Sequence, residues 1–153
     1  MKSSIRPLIL ILLLAPAAAL AAGDAAPPAT RDPVMERVSA ATAQKNWPAA
    51  QSILRDAVSK EPNNPDYQNL YAYSLRKGAS PDMNLVFKHY NEALRIDPKH
   101  RGAHEYIGEA YLMVNNLPKA KEHLSQLDKL CFFGCSEFTD LKKAIAEFES
   151  KRK

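Results

Sequence analysis

The sequence repeats itself, and this constrains the fold more than any other feature. "NWPAA" at 46–50 returns as "NLPKA" at 116–120, and "AVSKEP" at 57–62 returns as "ALRIDP" at 93–98. The second motif closes an apolar run with a proline each time. Proline has no amide hydrogen and pushes the residue before it out of the α region, so each run must end there. Inside the runs the spacing is helical. Ala103, Ile107, Ala110, Tyr111 and Val114 share one helix face; Leu117, Ala120, Leu124 and Leu127 share another, and Val86, Tyr90, Ala93 and Leu94 a third. Strand-like alternation is missing, which predicts an all-α chain. A helix–turn–helix unit of about 34 residues cannot bury its apolar face alone, whereas stacked copies can.

Helix starts are marked by capping side chains. Asp32-Pro33, Asn64-Pro65 and Ser80-Pro81 each set a capping residue before a proline at the expected first helical position. Asn46 and Asn116 stand two residues before Pro48 and Pro118 and are cap candidates as well. The pattern predicts helices at roughly 32–44, 47–60, 65–77, 81–96, 101–114, 117–130 and 136–150. Short loops make neighbours antiparallel pairs.

These units resemble tetratricopeptide repeats. Ile107, Gly108, Tyr111, Ala120 and Leu124 stand in order at that family's Leu-Gly…Tyr…Ala…Phe positions. The first unit matches at Ala50, Leu54, Ala57 and Pro62, and the second at Tyr67, Leu70, Gly78, Tyr90, Ala93 and Pro98. The second unit departs from the pattern with extra residues around "KGASPDM", and the third ends in a cysteine loop instead of a proline. The resemblance covers about residues 31 to 135. It implies a right-handed α-solenoid of about three helix pairs, at 32–63, 64–100 and 101–135. A helix over 136–150 would cap it. That segment has Phe138, Leu141, Ile145 and Phe148 on one face and Lys142, Lys143, Glu147 and Glu149 on the other.

Residues 1–21 read as a secretory signal peptide. Lys2 and Arg6 precede the apolar run Leu8–Leu14, and Ala19-Leu20-Ala21 suits cleavage after Ala21 or Ala22. The apolar run is short for a membrane span, which needs about 20 residues. Residues 22–31 read as a flexible Ala/Pro-rich leader to a domain over 32–150. Losing Lys2 and Arg6 lowers the formal charge of +4, so the mature chain has no strongly basic character and no case for nucleic acid. The signal looks bacterial, which makes the periplasm the expected location.

Cys131 and Cys135 are the only two cysteines. An oxidising compartment favours a disulfide, and two cysteines four apart across a turn can reach the Cα separation of about 5.5 Å that it requires. Such a bridge would pin the capping helix, with Phe132 and Phe133 tucked against the core and Ser136 as the helix cap. So short a loop adds about 1–2 kcal/mol. A redox site normally uses Cys-x-x-Cys within a βαβ pattern, and haem attachment adds a histidine; neither fits here. A metal site would have to recruit His123. His100 and His104 lie four apart on a helix, but Arg101 stands where a metalloprotease has glutamate. The bland roles are a helix boundary for His100 and packing for His104.

No nucleophile elbow, catalytic triad order or phosphate loop is present, so the expectation is a non-enzymatic protein without a cofactor. In tetratricopeptide folds the first helices of the pairs line a groove for peptides. The resemblance therefore implies binding positions at Gln68, Ala72, Leu75, Arg76, Glu105, Glu109, Leu112 and Met113, with Met35, Ser39 and Thr42 in the first unit. The Lys/Arg/Asn clamp of chaperone-tail receptors has a single candidate, Arg76. The chain is read as an exported adaptor for a protein or peptide partner. It is similar to small periplasmic tetratricopeptide proteins labelled as accessories of the TonB transport system. One alternative is self-association through Val34, Val38 and Trp47, which have no preceding helix to cover them. Another is metal or redox handling by Cys131 and Cys135.

Overall fold

Asparagine, aspartate and proline place the helices. The structure, a computed structural model, describes residues 32–152; the predicted signal peptide and leader lie outside them. The described residues form α1 (Pro33–Ala43), α2 (Trp47–Lys60), α3 (Pro65–Lys77), α4 (Met83–Ile96), α5 (Arg101–Met113), α6 (Leu117–Leu130) and α7 (Ser136–Ser150). Asp32 accepts hydrogen bonds from the amides of Val34 and Met35. Asn46 and Asn116 cap α2 and α6 through the amides of Ala49 and Lys119, both at 3.2 Å. Asn64 caps α3, and the Nδ1 of His100 caps α5 through the Ala103 amide. His100 is thus the boundary residue expected of it.

Two expected caps shift. Ser80 does not cap α4 and Pro81 is not its first residue. Asp82 takes the cap, its carboxylate accepting from the amides of Asn84 and Leu85, so Pro81 is left outside. A carboxylate held against the positive end of a helix is a better cap than a serine two residues earlier. Ser136 is likewise the first helical residue of α7, and Cys135 stands in the cap position.

Each helix packs on its chain neighbours. α1 lies on α2, α2 on α3, α3 on α4, α4 on α5 and α5 on α6, while α7 rests on both α5 and α6. This nearest-neighbour order is the signature of a solenoid. One apolar cluster gathers Ala72, Val86, Tyr90, Ile107 and Ala110; a second gathers Leu112, Ala120, Leu127, Leu141 and Ile145. The connection 78–82 is longer than its counterparts 44–46 and 114–116, as the extra residues there require. Gly108 lets α7 approach α5: a side chain there would meet the Cδ2 of Leu141 at 2.6 Å.

The apolar set at the N-terminal end is partly covered. Val38 is buried, and Trp47 turns its edge toward Tyr73 of α3, with ring centroids 5.8 Å apart. α2 and α3 cover part of this set, while Val34 and Trp47 stay half-buried.

Candidate functional site

The first helices of the second and third pairs bring matching residues together. Tyr73 and Arg76 on α3 face Tyr106 and Glu109 on α5, each residue meeting its repeat-equivalent. The two tyrosine rings lie 4.7 Å apart. The Arg76 guanidinium lies over both, 5.6 Å from the Tyr73 ring centre and 5.8 Å from that of Tyr106. Arg76 Nη2 donates to Glu109 Oε2 at 2.6 Å, and Nε donates to the Tyr90 hydroxyl at 3.2 Å. Arg76 is only 7 % exposed. Burial opposes its charge, but Tyr90 and Glu109 outweigh burial and hold its pKa above the ordinary value. Burial also pushes the Tyr106 hydroxyl up to about 12.

Beside this stack, α5 and α7 enclose an open groove of about 300 Å³. Glu105, Glu109, Asp140, Lys143, Ala144 and Glu147 line it. Glu105 is 9 % exposed. Burial first, then the nearby Glu109, Asp140 and Glu137, push its carboxyl up to about 7, against a smaller opposing effect of Arg76. Burying an ionised carboxylate among its own kind disfavours the charged form on both counts.

The expected binding positions divide. Arg76, Glu105 and Glu109 come together here, while Met113 is exposed at the end of α5. Gln68, Ala72 and Leu112 are corrections, because all three are buried. Ala72 and Leu112 belong to the two core clusters. Gln68 donates to the Pro62 carbonyl at 2.8 Å and meets His89 Nδ1 at 2.6 Å, so it serves the fold. Leu75 packs on the core from the side. Met35 and Ser39 border a separate shallow surface on α1, and Thr42 donates to the Ser39 carbonyl. Sequence reasoning passed over Tyr73, Tyr106 and the α7 residues Asp140, Lys143 and Glu147. The first two had a signal, since Tyr-x-x-Arg in one unit answers Tyr-x-x-Glu in the next.

Cys131 and Cys135 form a disulfide with their Cα atoms 5.5 Å apart. Phe132 and Phe133, expected inside, are 87 % and 97 % exposed. The closed loop is too short to fold its tip back onto the helices, so both rings project from it, edge to face. Because the tip buries nothing and the loop is short, Cys131→Ser with Cys135→Ser should lower stability by no more than about 1–2 kcal/mol. A larger drop in chemical denaturation would show that the bridge holds more than α7's first turn.

His123 turns to His104, with Nδ1 to Nδ1 at 2.9 Å. The Pro98 carbonyl can only accept, so His104 Nε2–H donates to it at 3.0 Å. That leaves His104 Nδ1 as acceptor and His123 Nδ1–H as donor, a pairing that needs His104 neutral. Among the described residues no three ligand-type side chains stand close enough to share a metal. Burial, then His104, pulls His123 down to about 4. Its folded pKa lies below the unfolded value of about 6.5, so the unfolded chain takes up the proton first as pH falls. The stability at stake is intact above about 6.5 and is lost progressively toward 4. Glu105, with a raised pKa, changes stability in the opposite sense over an overlapping range. A His123→Gln comparison separates the two: Gln can still donate to His104 but does not titrate. Wild type should lose roughly 2–3 kcal/mol relative to this variant between pH 7 and pH 4. Parallel pH profiles of the melting temperature would show that burial beside His104 does not hold the His123 pKa down.

No family model matches the chain. The TPR repeat-containing thioredoxin TTL4 of Arabidopsis thaliana is 30 % identical over 99 residues, covering 64 % of this chain. The match spans 13 % of that relative's length. Among solved structures, the TPR2B domain of yeast Sti1, determined in its complex with pHsp70, superposes with a TM-score of 0.68 at 15 % identity. That superposition covers 77 % of this chain and 94 % of the Sti1 domain. The Sgt2 TPR domain of Aspergillus fumigatus gives a TM-score of 0.66 at 22 % identity, over 77 % of this chain and 76 % of that one. These likenesses establish the fold: the described residues form an all-α solenoid of the tetratricopeptide type with α7 at its C-terminal end.

Proposed function

We propose that this protein is an exported, non-enzymatic adaptor that binds a protein or peptide partner along the face built by α3, α5 and α7. The observation that carries the reading is that Glu105 and Glu109 line one groove, with Glu109 held by Arg76 and Arg76 by the half-buried rings of Tyr73 and Tyr106. Charged groups fixed in place lose little freedom when a partner arrives, and a rigid site binds more tightly for that reason. The Sti1 domain, whose fold this chain shares, is itself seen in a complex with pHsp70. The signal peptide read at residues 1–21 supports export to the bacterial envelope, and there the protein would serve as an accessory of a transport system such as TonB.

Crosslinking in the native cell, followed by mass spectrometry of the crosslinked residues, tests this. Crosslinks from Lys143 and its neighbours on α5 and α7 to one envelope protein are expected. Crosslinks confined to copies of the chain itself would overturn the adaptor reading and direct attention to Phe132 and Phe133.

A further inference from the structure

Glu105 is the side chain that the fold itself does not explain. It is nine-tenths buried, yet its carboxylate makes no hydrogen bond or ion pair among the described residues, and it lines the α5–α7 groove. The charges around it are accounted for. On α3, Arg76 is held by Glu109 and Tyr90. On α5, Glu109 is that same pair's acid. On α7, Glu137 reaches Arg101 at 3.6 Å, Lys143 reaches Glu147 at a loose 4.0 Å, and Asp140 has no partner among the described residues. Most of the Glu105 side chain is buried but its unpaired carboxylate opens onto the groove, where the partial loss of water raises its pKa. Here it faces a cavity bordered by three more carboxylates and one lysine.

We propose that the groove receives a lysine or arginine side chain of the partner, with Glu105 as the buried anion that the incoming cation pairs with. The proposal rests on the adaptor reading and specifies the partner's chemistry. An ammonium or guanidinium group suits the site because its several N–H groups can reach carboxylates that stand apart. A divalent metal needs ligands gathered at one point, and no three such groups gather among the described residues. The groove's charge also rejects an acidic peptide.

Proton linkage gives the proposal a signature. With its carboxyl near 7, Glu105 is partly protonated in the free protein at neutral pH. A cation favours the ionised form, so binding must expel a proton and strengthen as pH rises. Between about pH 6 and pH 8 the ionised fraction rises about tenfold, and affinity should follow it.

Isothermal titration of the chain tests this with a short capped peptide of alternating lysine and alanine. The control is the same peptide with glutamate in place of lysine. Titration at pH 7 in two buffers of different ionisation enthalpy counts the protons released. The lysine peptide should bind about tenfold more tightly at pH 8 than at pH 6 and release a fraction of a proton at pH 7. Glu105→Gln should abolish that release and weaken binding at pH 8 about tenfold, with the circular dichroism spectrum unchanged. Asp140→Lys, at an exposed rim position, should weaken binding and, because Asp140 helps raise the Glu105 carboxyl, also lessen the proton release at pH 7. Equal binding of the two peptides, or unchanged proton release by Glu105→Gln, overturns the proposal. So does saturable binding of magnesium or calcium ions that Glu105→Gln removes while neither peptide binds. If in-cell crosslinks land on this face but join it to a segment without lysine or arginine, the adaptor reading stands and this inference fails. If the lysine peptide binds as described but no partner is crosslinked, the adaptor reading fails alone.

Discussion

Arg76→Met should cost about 2–4 kcal/mol of folding stability. Methionine keeps most of the apolar stem, so the loss is not chiefly a cavity. It comes from partners left behind. The Tyr90 hydroxyl is fully buried and would lose its one donor, a cost of about 1–3 kcal/mol. The guanidinium's contacts with the rings of Tyr73 and Tyr106 add about 0.5–1 kcal/mol each. Glu109 loses its counter-ion, but its side chain is 29 % exposed and water recovers part of that term. The stack is a unit, so removing its polar groups together should be cheaper than removing one. Arg76→Met combined with Tyr90→Phe and Glu109→Gln should recover at least half of the loss. Urea denaturation of the variants measures both effects. A cost below about 0.5 kcal/mol for Arg76→Met, or simple additivity in the triple variant, would mean that Arg76 is a surface residue that happens to lie over two rings. The same substitution removes the positive charge that partly offsets the acid around Glu105, and should move that carboxyl still higher.

The architecture was legible because helix boundaries are set locally. Asn46, Asn64, Asn116 and the prolines beside them act within one turn, and the periods between them are long enough to count. Of the two shifted caps, the one at Ser80-Pro81 arose because Asp82 offered a better cap two residues on. The site was legible in part, for a geometrical reason. Each first helix of a pair touches its own second helix and the neighbouring pair, so the free stripe on it is narrow. A one-position error in rotation turns Ala72, Gln68 and Leu112 from core to surface. Arg76 shares the buried face of Gln68 and Ala72, and it is drawn to Glu109 only because its long side chain reaches across to α5. The α7 side of the groove was hidden altogether. Lys143 and Glu147 read as a solvent-facing set, and their nearness to Glu105 depends on how closely α7 seats on α5, which Gly108 decides.

That seating makes Leu141 the most sensitive single position for function. Leu141 is fully buried and fits against the missing side chain of Gly108. Leu141→Ala should cost about 3–4 kcal/mol, the range for a leucine removed from a core that cannot collapse to fill the space. The loss should be local. A terminal helix of a solenoid has neighbours on one side only, so it can detach while the rest stays folded. Amide exchange across 136–150 should therefore quicken while α3 and α4 keep their protection. Gly108→Val should loosen α7 for the opposite reason, since its methyl groups would occupy the space held by Leu141. The two changes together should partly compensate, with the added valine filling what the alanine vacates, and the double variant should be more stable than the sum of the singles predicts. Strict additivity would mean that the contact between Gly108 and Leu141 does not position α7. If α7 does detach, Asp140 and Glu147 leave with it and Glu105 meets water. Its carboxyl should then fall back toward the ordinary range, and the pH dependence of cation binding should vanish although no charged residue has been altered.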